Sequence, residues 1–291
     1  MTVSGDQDST VPSEELHASI DIFGTTHPGK VRTANEDQFF VASLHKSMQV
    51  RQSSLDDLHA FTRLRGSSAH LLVVADGVGS GGGGELASGT AVETLAEHIG
   101  ETIGCYYNFD VDREHEFLSQ LQDAVQRSHQ QVRARHASEG RSPATTLTMV
   151  ALLWPRAYVV HVGDSRAYYL RDGRLLQLTR DQTAYEELVD QGVIKDDVKP
   201  GGKSPHMLQN MLVSAIGDQV EPSIGLVDLQ AGDVLLLCTD GLTRHVPDAD
   251  IAGVLASGGN AEASCRRLID LALERGGRDN VTVVVGRFAA S

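Results

Sequence analysis

The sequence predicts an α+β fold in which antiparallel β-sheets are covered by helices. Four apolar runs between residues 146 and 179 follow one another with links of only a few residues, and strands joined by such short links run antiparallel. The helical patterns lie in groups before and after these strands rather than between them, which argues against a doubly wound parallel sheet. With 291 residues, of which 41% are hydrophobic, the chain is typical of one large packed domain.

The residue pattern in the first quarter of the chain predicts a tail, three strands and an insertion. Residues 1–17 are polar and acidic and are expected to be disordered, whereas residues 18–289 are expected to form the domain. The polar stretch over residues 43–68 is interpreted as an insertion between two strands. Apolar runs of strand length predict the strands Ala18–Phe23, Gln38–Leu44 and Leu71–Ala75.

Apolar residues at helical spacing predict three helices. Ala87, Ala91 and Leu95 form one stripe over residues 85–99. Phe117 and Leu121 begin the stripe of a second, longer helix, and a third pattern covers residues 261–273.

The second half of the chain predicts the rest of the sheets. Asp172-Gly173 is typical of a hairpin turn. The polar stretch 181–217 is interpreted as a surface flap that is helical in places. Strands are expected at Thr146–Leu153, Ala157–Val162, Ala167–Arg171, Leu175–Thr179, Ser223–Leu229, Val234–Cys238 and Asn280–Phe288.

Charge and cysteine content exclude several classes of function. The net charge of −14 would repel nucleic-acid phosphates and anionic membrane surfaces, so neither is an expected partner. The 3 cysteines show no CxxC spacing, which argues against a disulfide scaffold or a structural zinc site. No apolar run approaches the length of a membrane span, and the first residues do not resemble a signal peptide. We therefore expect a cytoplasmic protein.

Five aspartates occupy the ends of predicted core strands. If the strands stack in one core, several of these carboxylates meet at one end of it, where they repel one another unless a cation is present. Carboxylate-rich sites suit Mg²⁺ or Mn²⁺ rather than zinc. The five residues are Asp37, Asp76, Asp164, Asp240 and Asp279.

Two other motifs resemble binding sites of different classes. The run Gly79–Gly84 satisfies GxGxxG after a strand, so an oxidoreductase that binds a nicotinamide dinucleotide is an alternative. However, Asp76 would lie close to the pyrophosphate, and the strands that follow are predicted to be antiparallel rather than parallel. Asp110 and Asp112 have the spacing of a calcium loop, but His115 and Leu121 stand where that loop needs glycine and glutamate.

Nine short motifs follow one another along the chain. They are Val31-Arg32-x-x-Asn35-Glu36-Asp37, Val74-Ala75-Asp76-Gly77-Val78-Gly79, Gly84-Glu85-x-Ala87-Ser88, Thr145-Thr146-Leu147, Gly163-Asp164-Ser165-Arg166-Ala167-Tyr168, Leu178-Thr179-x-Asp181, Ala215-Ile216-Gly217, Leu236-Leu237-Cys238-Thr239-Asp240-Gly241-Leu242-Thr243 and Arg278-Asp279-Asn280-x-Thr282. In this order they resemble the bacterial form of the metal-dependent protein phosphatase family, the type 2C serine/threonine phosphatases. The resemblance implies an αββα four-layer sandwich, two antiparallel sheets flanked by helices.

The resemblance also implies a metal centre with two Mn²⁺ or Mg²⁺ ions. Asp76 would bridge the two ions, with the Gly77 carbonyl on the first. Asp240 and Asp279 would hold the second ion.

Further residues take roles around these ions by the same resemblance. Glu36 and Asp37 would act through bound waters, and Asp164 would share a third, weaker ion with Asp240. Arg32 would clamp the substrate phosphate. The implied reaction is attack on phosphorus by a hydroxide that bridges the two ions, without a phosphoenzyme.

The expected partner is a phosphorylated protein substrate of a separate serine/threonine kinase, and the chain is expected to be monomeric. Three departures from the family pattern bear on function. Val78 stands where some members carry a histidine that protonates the leaving group, which leaves that role to water. Gln182 replaces a common histidine, and Arg244 replaces a common acidic or amide residue. The alternative function is therefore a phosphoprotein-binding regulatory module of low activity on the same fold.

Overall fold

The computed structural model describes residues 18–45, 68–79, 82–102, 114–136, 143–192, 212–213 and 219–290. The predicted tail over residues 1–17 lies outside these ranges, as do nearly all of the predicted insertion and most of the predicted flap. Asp110 and Asp112, which have the spacing of a calcium loop, also fall outside them. None of the helices in the described ranges has the length and apolar character of a membrane-spanning helix.

The strands form two antiparallel sheets. The first has the order β1 (Ala18–His27), β12 (Val281–Ala290), β11 (Val234–Cys238), β7 (Arg166–Arg171) and β8 (Arg174–Gln177). The second has the order β10 (Ser223–Asp228), β6 (Arg156–Val162), β5 (Leu147–Leu153), β3 (Ser68–Val78) and β2 (Asp37–His45), and β4 (Ala144–Thr145) and β9 (Leu212–Val213) extend it at the end of β3. The dinucleotide alternative is wrong on this point, because its fingerprint requires a parallel sheet.

Six helices flank the sheets or connect them in the described part of the chain. They are α1 (Gly83–Thr102), α2 (Glu114–His136), α3 (Ala184–Asp190), α4 (Asp240–Thr243), α5 (Asp248–Ala256) and α6 (Ala261–Glu274).

The alternation of buried residues along β3 shows that the fold has four layers. Leu71 and Val73 belong to a core cluster shared with α1 and α2, whereas Leu72 and Val74 belong to a cluster between the two sheets. A third cluster packs the other face of the five-stranded sheet against α4, α5 and α6. Successive side chains of a strand point to opposite faces, so each sheet is buried on both sides. The αββα sandwich is therefore confirmed.

Most predicted elements are present, and the differences have local causes. β3 continues through Asp76 and Gly77 to Val78 instead of ending at Ala75, because its last two residues pair with β4. The predicted strand Thr146–Leu153 is present as β5, which begins one residue later at Leu147, and the short strand β4 directly before it was not predicted. The hairpin turn is confirmed by the positive φ angles of Asp172 and Gly173.

Helices α4 and α5 were not predicted from the sequence. α4 has only four residues, and α5 has nine, of which only Ile251 and Leu255 are buried. Such short stripes do not stand out from a loop pattern.

The strand ends that carry the predicted site aspartates lie at the same end of both sheets. Asp37, which opens β2, is the register partner of Asp76 near the end of β3. In the other sheet, Cys238 at the end of β11 pairs with Val283 near the start of β12. Residues that directly follow β11 or precede β12 therefore meet the ends of β2 and β3.

Gly241, the second residue of α4, lies very close to the backbone of Asn280. We therefore expect substitutions at position 241 to destabilise the protein. A Cβ atom at this position would overlap the Asn280 carbonyl oxygen, which belongs to the main chain and cannot rotate away. We expect Gly241→Ala to lower the free energy of unfolding by about 2–3 kcal/mol. Urea unfolding followed by circular dichroism measures this change.

Gly253→Ala is the matched control. A Cβ at Gly253, inside α5, would meet nothing within 4 Å, so alanine is expected to stabilise the protein by about 0.5–1 kcal/mol. Equal stabilities of the two variants would contradict the proposed overlap.

Candidate metal centre

Asp37 is held at the junction of the two sheets. Its Oδ2 accepts hydrogen bonds from the Thr239 hydroxyl at 2.8 Å and from the Thr282 hydroxyl at 2.7 Å. Its Oδ1 is buried and has no hydrogen-bond partner among the described residues. One oxygen is therefore fixed by the protein, and the other is left for a group that could bind it.

Asp76 is fixed through its main chain. Its N–H donates to Thr146 Oγ1 at 2.9 Å, and its carbonyl oxygen accepts from the Thr146 N–H at 2.9 Å and from the Thr145 hydroxyl at 3.0 Å. These bonds set the direction in which the carboxylate leaves β3.

Gly77 lets the strand pass unusually close to other backbone segments. A Cβ at this position would overlap the Gly84 carbonyl oxygen and would lie 2.6 Å from the Glu36 carbonyl oxygen. The Gly77 N–H donates to that Glu36 oxygen at 3.1 Å. A glycine is therefore needed at position 77 for packing at the start of α1, in addition to any role of its carbonyl.

Asn280 organises the loop that carries Glu36 and Arg32. Its amide nitrogen donates to the carbonyl oxygens of Pro28 and Ala34, both at 2.9 Å, and its Oδ1 accepts from the Glu36 N–H at 2.9 Å. Burial is the main cause that raises the pKa of Glu36, whereas the nearby Arg32 lowers it.

Asp240 and Asp279 face two arginines. Arg32 forms a fork on Asp279, with Nε 2.9 Å from Oδ1 and Nη2 3.0 Å from Oδ2. Arg244 contacts Asp240 Oδ2 through Nη2 and lies 3.3 Å from Asp279 Oδ2 through Nη1. Charge-assisted bonds of this kind are the strong ones in proteins.

Asp164 lies in the tight link between β6 and β7. Gly163 has a φ of 110°, and a Cβ there would lie 2.6 Å from Thr146 Cγ2. Gln182 exchanges two hydrogen bonds with Gly163, at 2.9 and 2.7 Å. Arg166 forms a fork on Asp181 with both bonds at 2.8 Å. The first residues of the predicted flap are therefore bonded directly to the link that carries Asp164.

Burial and mutual repulsion shift the pKa values of the clustered carboxyl groups upward. Burial is the largest cause in each case, and neighbouring carboxylates add to it. The pKa rises to about 7 for Asp37 and Asp164, to about 6 for Asp240, and well above the usual value for Asp76. Arg244 lowers the pKa of both Asp240 and Asp164 and so offsets part of the shift.

The chemistry of these residues fits divalent cations that prefer oxygen ligands. Repelling carboxylates and the orphaned Asp37 oxygen both indicate missing positive charge. In the described part of the chain, no three His, Cys, Asp or Glu side chains already converge into a ligand set. The oxygens of Asp240 and Asp279 face Arg244 and Arg32 instead.

All predicted site residues lie at the same end of the sandwich. Arg32 is already paired with Asp279. Thr239, Thr282 and Asn280 stand in the quoted motifs, but their roles were not predicted. Thr239 and Thr282 hold the Asp37 carboxylate, and Asn280 holds the loop before it. Sequence reasoning noted Arg244 only as a departure, although its position four residues after Asp240 is a signal for contact on a helix.

Comparison with known proteins gives a consistent set of relatives. The family model described as protein phosphatase 2C matches residues 46–261. The serine/threonine protein phosphatase PstP of Mycobacterium tuberculosis is 37% identical over 239 residues, which are 81% of this chain and 42% of the relative. The chain thus spans less than half the length of that curated relative.

Two solved structures are similar over nearly the whole chain. The crystal structure of the Mycobacterium tuberculosis phosphatase PstP/Ppp has a TM-score of 0.72 and 30% identity, and the match covers 93% of this chain and 99% of that one. The catalytic domain of PstP in complex with 2 manganese ions has a TM-score of 0.70 and 31% identity, covering 94% and 100%.

The raised pKa of Asp37 predicts how stability without cations depends on pH. A carboxyl group whose pKa is higher in the folded state binds more protons there, so its stabilising effect is complete below its unfolded pKa and is lost as pH rises to about 7. We expect Asp37→Asn in EDTA to be more stable than wild type at pH 8 by about 1–3 kcal/mol. At pH 4 we expect this difference to disappear.

Urea unfolding at the two pH values measures this difference. Saturating Mn²⁺ is the control condition, because a bound cation supplies the missing charge and should remove the advantage of the variant at pH 8. A difference in stability that is the same at both pH values would contradict the role of Asp37 charge.

Proposed function

Since the chain belongs to the protein phosphatase 2C family, we propose that it is a Mn²⁺- or Mg²⁺-dependent serine/threonine protein phosphatase. Its substrates are phosphoserine and phosphothreonine in proteins. The observation that carries the proposal is the cluster of five aspartates from both sheets beside the exposed guanidinium of Arg32.

The carboxylates would hold the cations in two groups. Asp76 would contact both core cations, the Gly77 carbonyl would contact the first, and Asp240 and Asp279 would hold the second. When bound, such cations lower the pKa of water and neutralise charge on phosphoryl oxygens.

Further ligands would complete this set. Glu36 and Asp37 would act through water, and Asp164 with Asp240 would hold a third cation. The hydroxyl groups of Thr239 and Thr282 support this proposal, because they orient Asp37 before any cation arrives. Such orientation by outer groups is typical of metal sites.

Arg32 would bind the substrate phosphate. Its side chain is 52% exposed, and its planar fork has the geometry that phosphate oxygens match. Asn280 fixes the loop on which it stands, so the guanidinium is held near the carboxylates without being buried. Binding phosphate requires Arg32 to leave Asp279, which a cation on Asp279 would favour by replacing its charge.

The leaving serine or threonine oxygen also needs a proton. Val78, which follows the Asp76-Gly77 pair, is 45% exposed and carries no acidic hydrogen. Solvent water at this open position would supply the proton.

The partner of the proposed enzyme is a protein that a separate serine/threonine kinase has phosphorylated. We propose a monomer in the cytoplasm, where the buried, unpaired thiols of Cys238 and Cys265 remain reduced. A phosphoprotein-binding module of low activity is the second candidate, favoured by the absence of an acidic group at Val78. Substantial turnover would exclude it.

Hydrolysis of a phosphothreonine peptide tests the proposed function. We expect phosphate release with Mn²⁺, none with EDTA, and a loss of about a hundredfold or more in kcat for Asp240→Asn, because a cation ligand loses its charge. Asp250→Asn is the control, since Asp250 pairs only with the exposed Arg275 in the described structure. Equal rates with EDTA and with Mn²⁺ would contradict the proposal.

Arg32 can be tested separately as the phosphate ligand. We expect Arg32→Ala to raise KM and to lower kcat/KM by about 10- to 100-fold at saturating Mn²⁺, the cost of a lost charge-assisted hydrogen bond. Arg32→Lys should recover only part of this, because lysine lacks the fork. Lys30→Ala, on the same loop, should match wild type. An unchanged KM for Arg32→Ala would assign phosphate binding elsewhere.

A further inference from the structure

Arg244 bridges two carboxylates that belong to different parts of the chain. Its Nη2 contacts Asp240 at the start of α4, and its Nη1 lies 3.3 Å from Oδ2 of Asp279, which precedes β12. The Arg244 side chain is 38% exposed, whereas those of Asp240 and Asp279 are 11% and 20% exposed. The guanidinium therefore closes the solvent side of this aspartate pair.

The local fold directs Arg244 toward this pair. The residue caps α4, and its backbone N–H bonds to the carbonyl oxygens of Asp240 and Leu242. Residues four apart on a helix lie on the same face, so the guanidinium and the Asp240 carboxylate leave the helix on one side. The next residue, His245, contacts the Gly241 carbonyl oxygen through Nδ1 and accepts a hydrogen bond from the Arg278 N–H through Nε2. These contacts fix the end of α4 to the segment before β12.

We propose that Arg244 is an internal counter-cation of the Asp240–Asp279 pair, which a divalent cation must displace, so that Arg244 sets the cation concentration at which this position fills. The inference rests on the proposed function, and it concerns how readily that centre loads. Arg244 is a positioning residue in this role, since it acts through the two carboxylates.

The competition follows from charge and from shared oxygen atoms. Asp240 Oδ2 and Asp279 Oδ2 are the oxygens that Arg244 contacts, and they are also among the donors that the second cation would need. A guanidinium left beside a divalent cation would be repelled twice as strongly as beside a monovalent one. Arg32 already bonds to both oxygens of Asp279, whereas Arg244 is the arginine that contacts Asp240 among the described residues.

Calorimetric titration of the metal-free protein with Mn²⁺ tests the proposal without an activity assay. We expect Arg244→Gln to bind Mn²⁺ about tenfold more tightly than wild type at the position that involves Asp240. In the Asp240→Asn background, adding Arg244→Gln should bring little further gain, because the shared carboxylate is gone. Arg275→Gln is the charge-matched control, since Arg275 pairs with Asp250, and it should bind Mn²⁺ like wild type.

Thermal unfolding provides a second measurement. In EDTA, Arg244→Gln should melt below wild type, because the carboxylates lose a counter-charge. With Mn²⁺ present, its increase in Tm should exceed that of wild type.

Three results would overturn the proposal. Equal or weaker Mn²⁺ binding by Arg244→Gln would do so while leaving the phosphatase function standing. Unchanged Mn²⁺ binding together with a raised KM for the phosphopeptide would make Arg244 a phosphate ligand instead. If wild type and Arg244→Gln both fail to bind Mn²⁺, the metal-dependent function fails together with this inference.

Discussion

Five aspartates at one end of the sandwich repel one another, and the arginines and hydroxyl groups around them offset that repulsion or orient the carboxylates. Burial raises the pKa of Asp37, Asp76, Asp164 and Asp240, and neighbouring carboxylates raise each pKa further, whereas Arg244 lowers the pKa of Asp164 and Asp240. A folded chain could lower this cost by spreading the carboxylates apart. Instead, the strand ends of both sheets bring them together, which makes the site depend on added positive charge.

The rest of the fold makes this arrangement rigid. Three apolar clusters hold four layers in register, and hydroxyl and amide groups then orient the acidic residues. Thr239 and Thr282 come from the five-stranded sheet and its following segment, yet they bond to Asp37 of the other sheet. The two sheets are therefore joined at the site by the same hydrogen bonds that fix a carboxylate.

The residue pattern alone was sufficient for antiparallel sheets covered by helices and for the identity of the clustered aspartates, whereas the four-layer arrangement followed from the family resemblance. Apolar runs joined by short links indicated antiparallel strands, and the positions of aspartates at strand ends indicated one charged cluster. The different roles of Asp76, on the two core ions, and of Asp164, on a third ion, came from the family resemblance and not from the spacing of the residues. α4 and α5 escaped prediction because their apolar stripes are shorter than the pattern needs.

Contacts between distant segments could not be predicted from the sequence for a different reason. Nothing in the local pattern around Asn280 shows that its side chain holds the carbonyls of Pro28 and Ala34. Gln182 was recognised as an unusual residue, but its two bonds to Gly163 depend on how the chain returns to the β6–β7 link. These interactions depend on tertiary structure, and single-residue types do not encode them.

The arginines and carboxylates together indicate what the centre lacks. Six carboxylates, the five aspartates and Glu36, lie together, and among the described residues Arg32 and Arg244 are the arginines that contact them. Arg166, which also lies near Asp164, is neutralised by its own fork on Asp181. With all six ionised, four negative charges remain, which is the charge that two divalent cations would neutralise. The arginines would then be released from their carboxylates, and Arg32 at the rim would be free to meet the phosphate of a substrate. The Arg32 guanidinium can thus serve two purposes in turn. Before cations bind, it neutralises Asp279, and after they bind, it is available for the substrate phosphate.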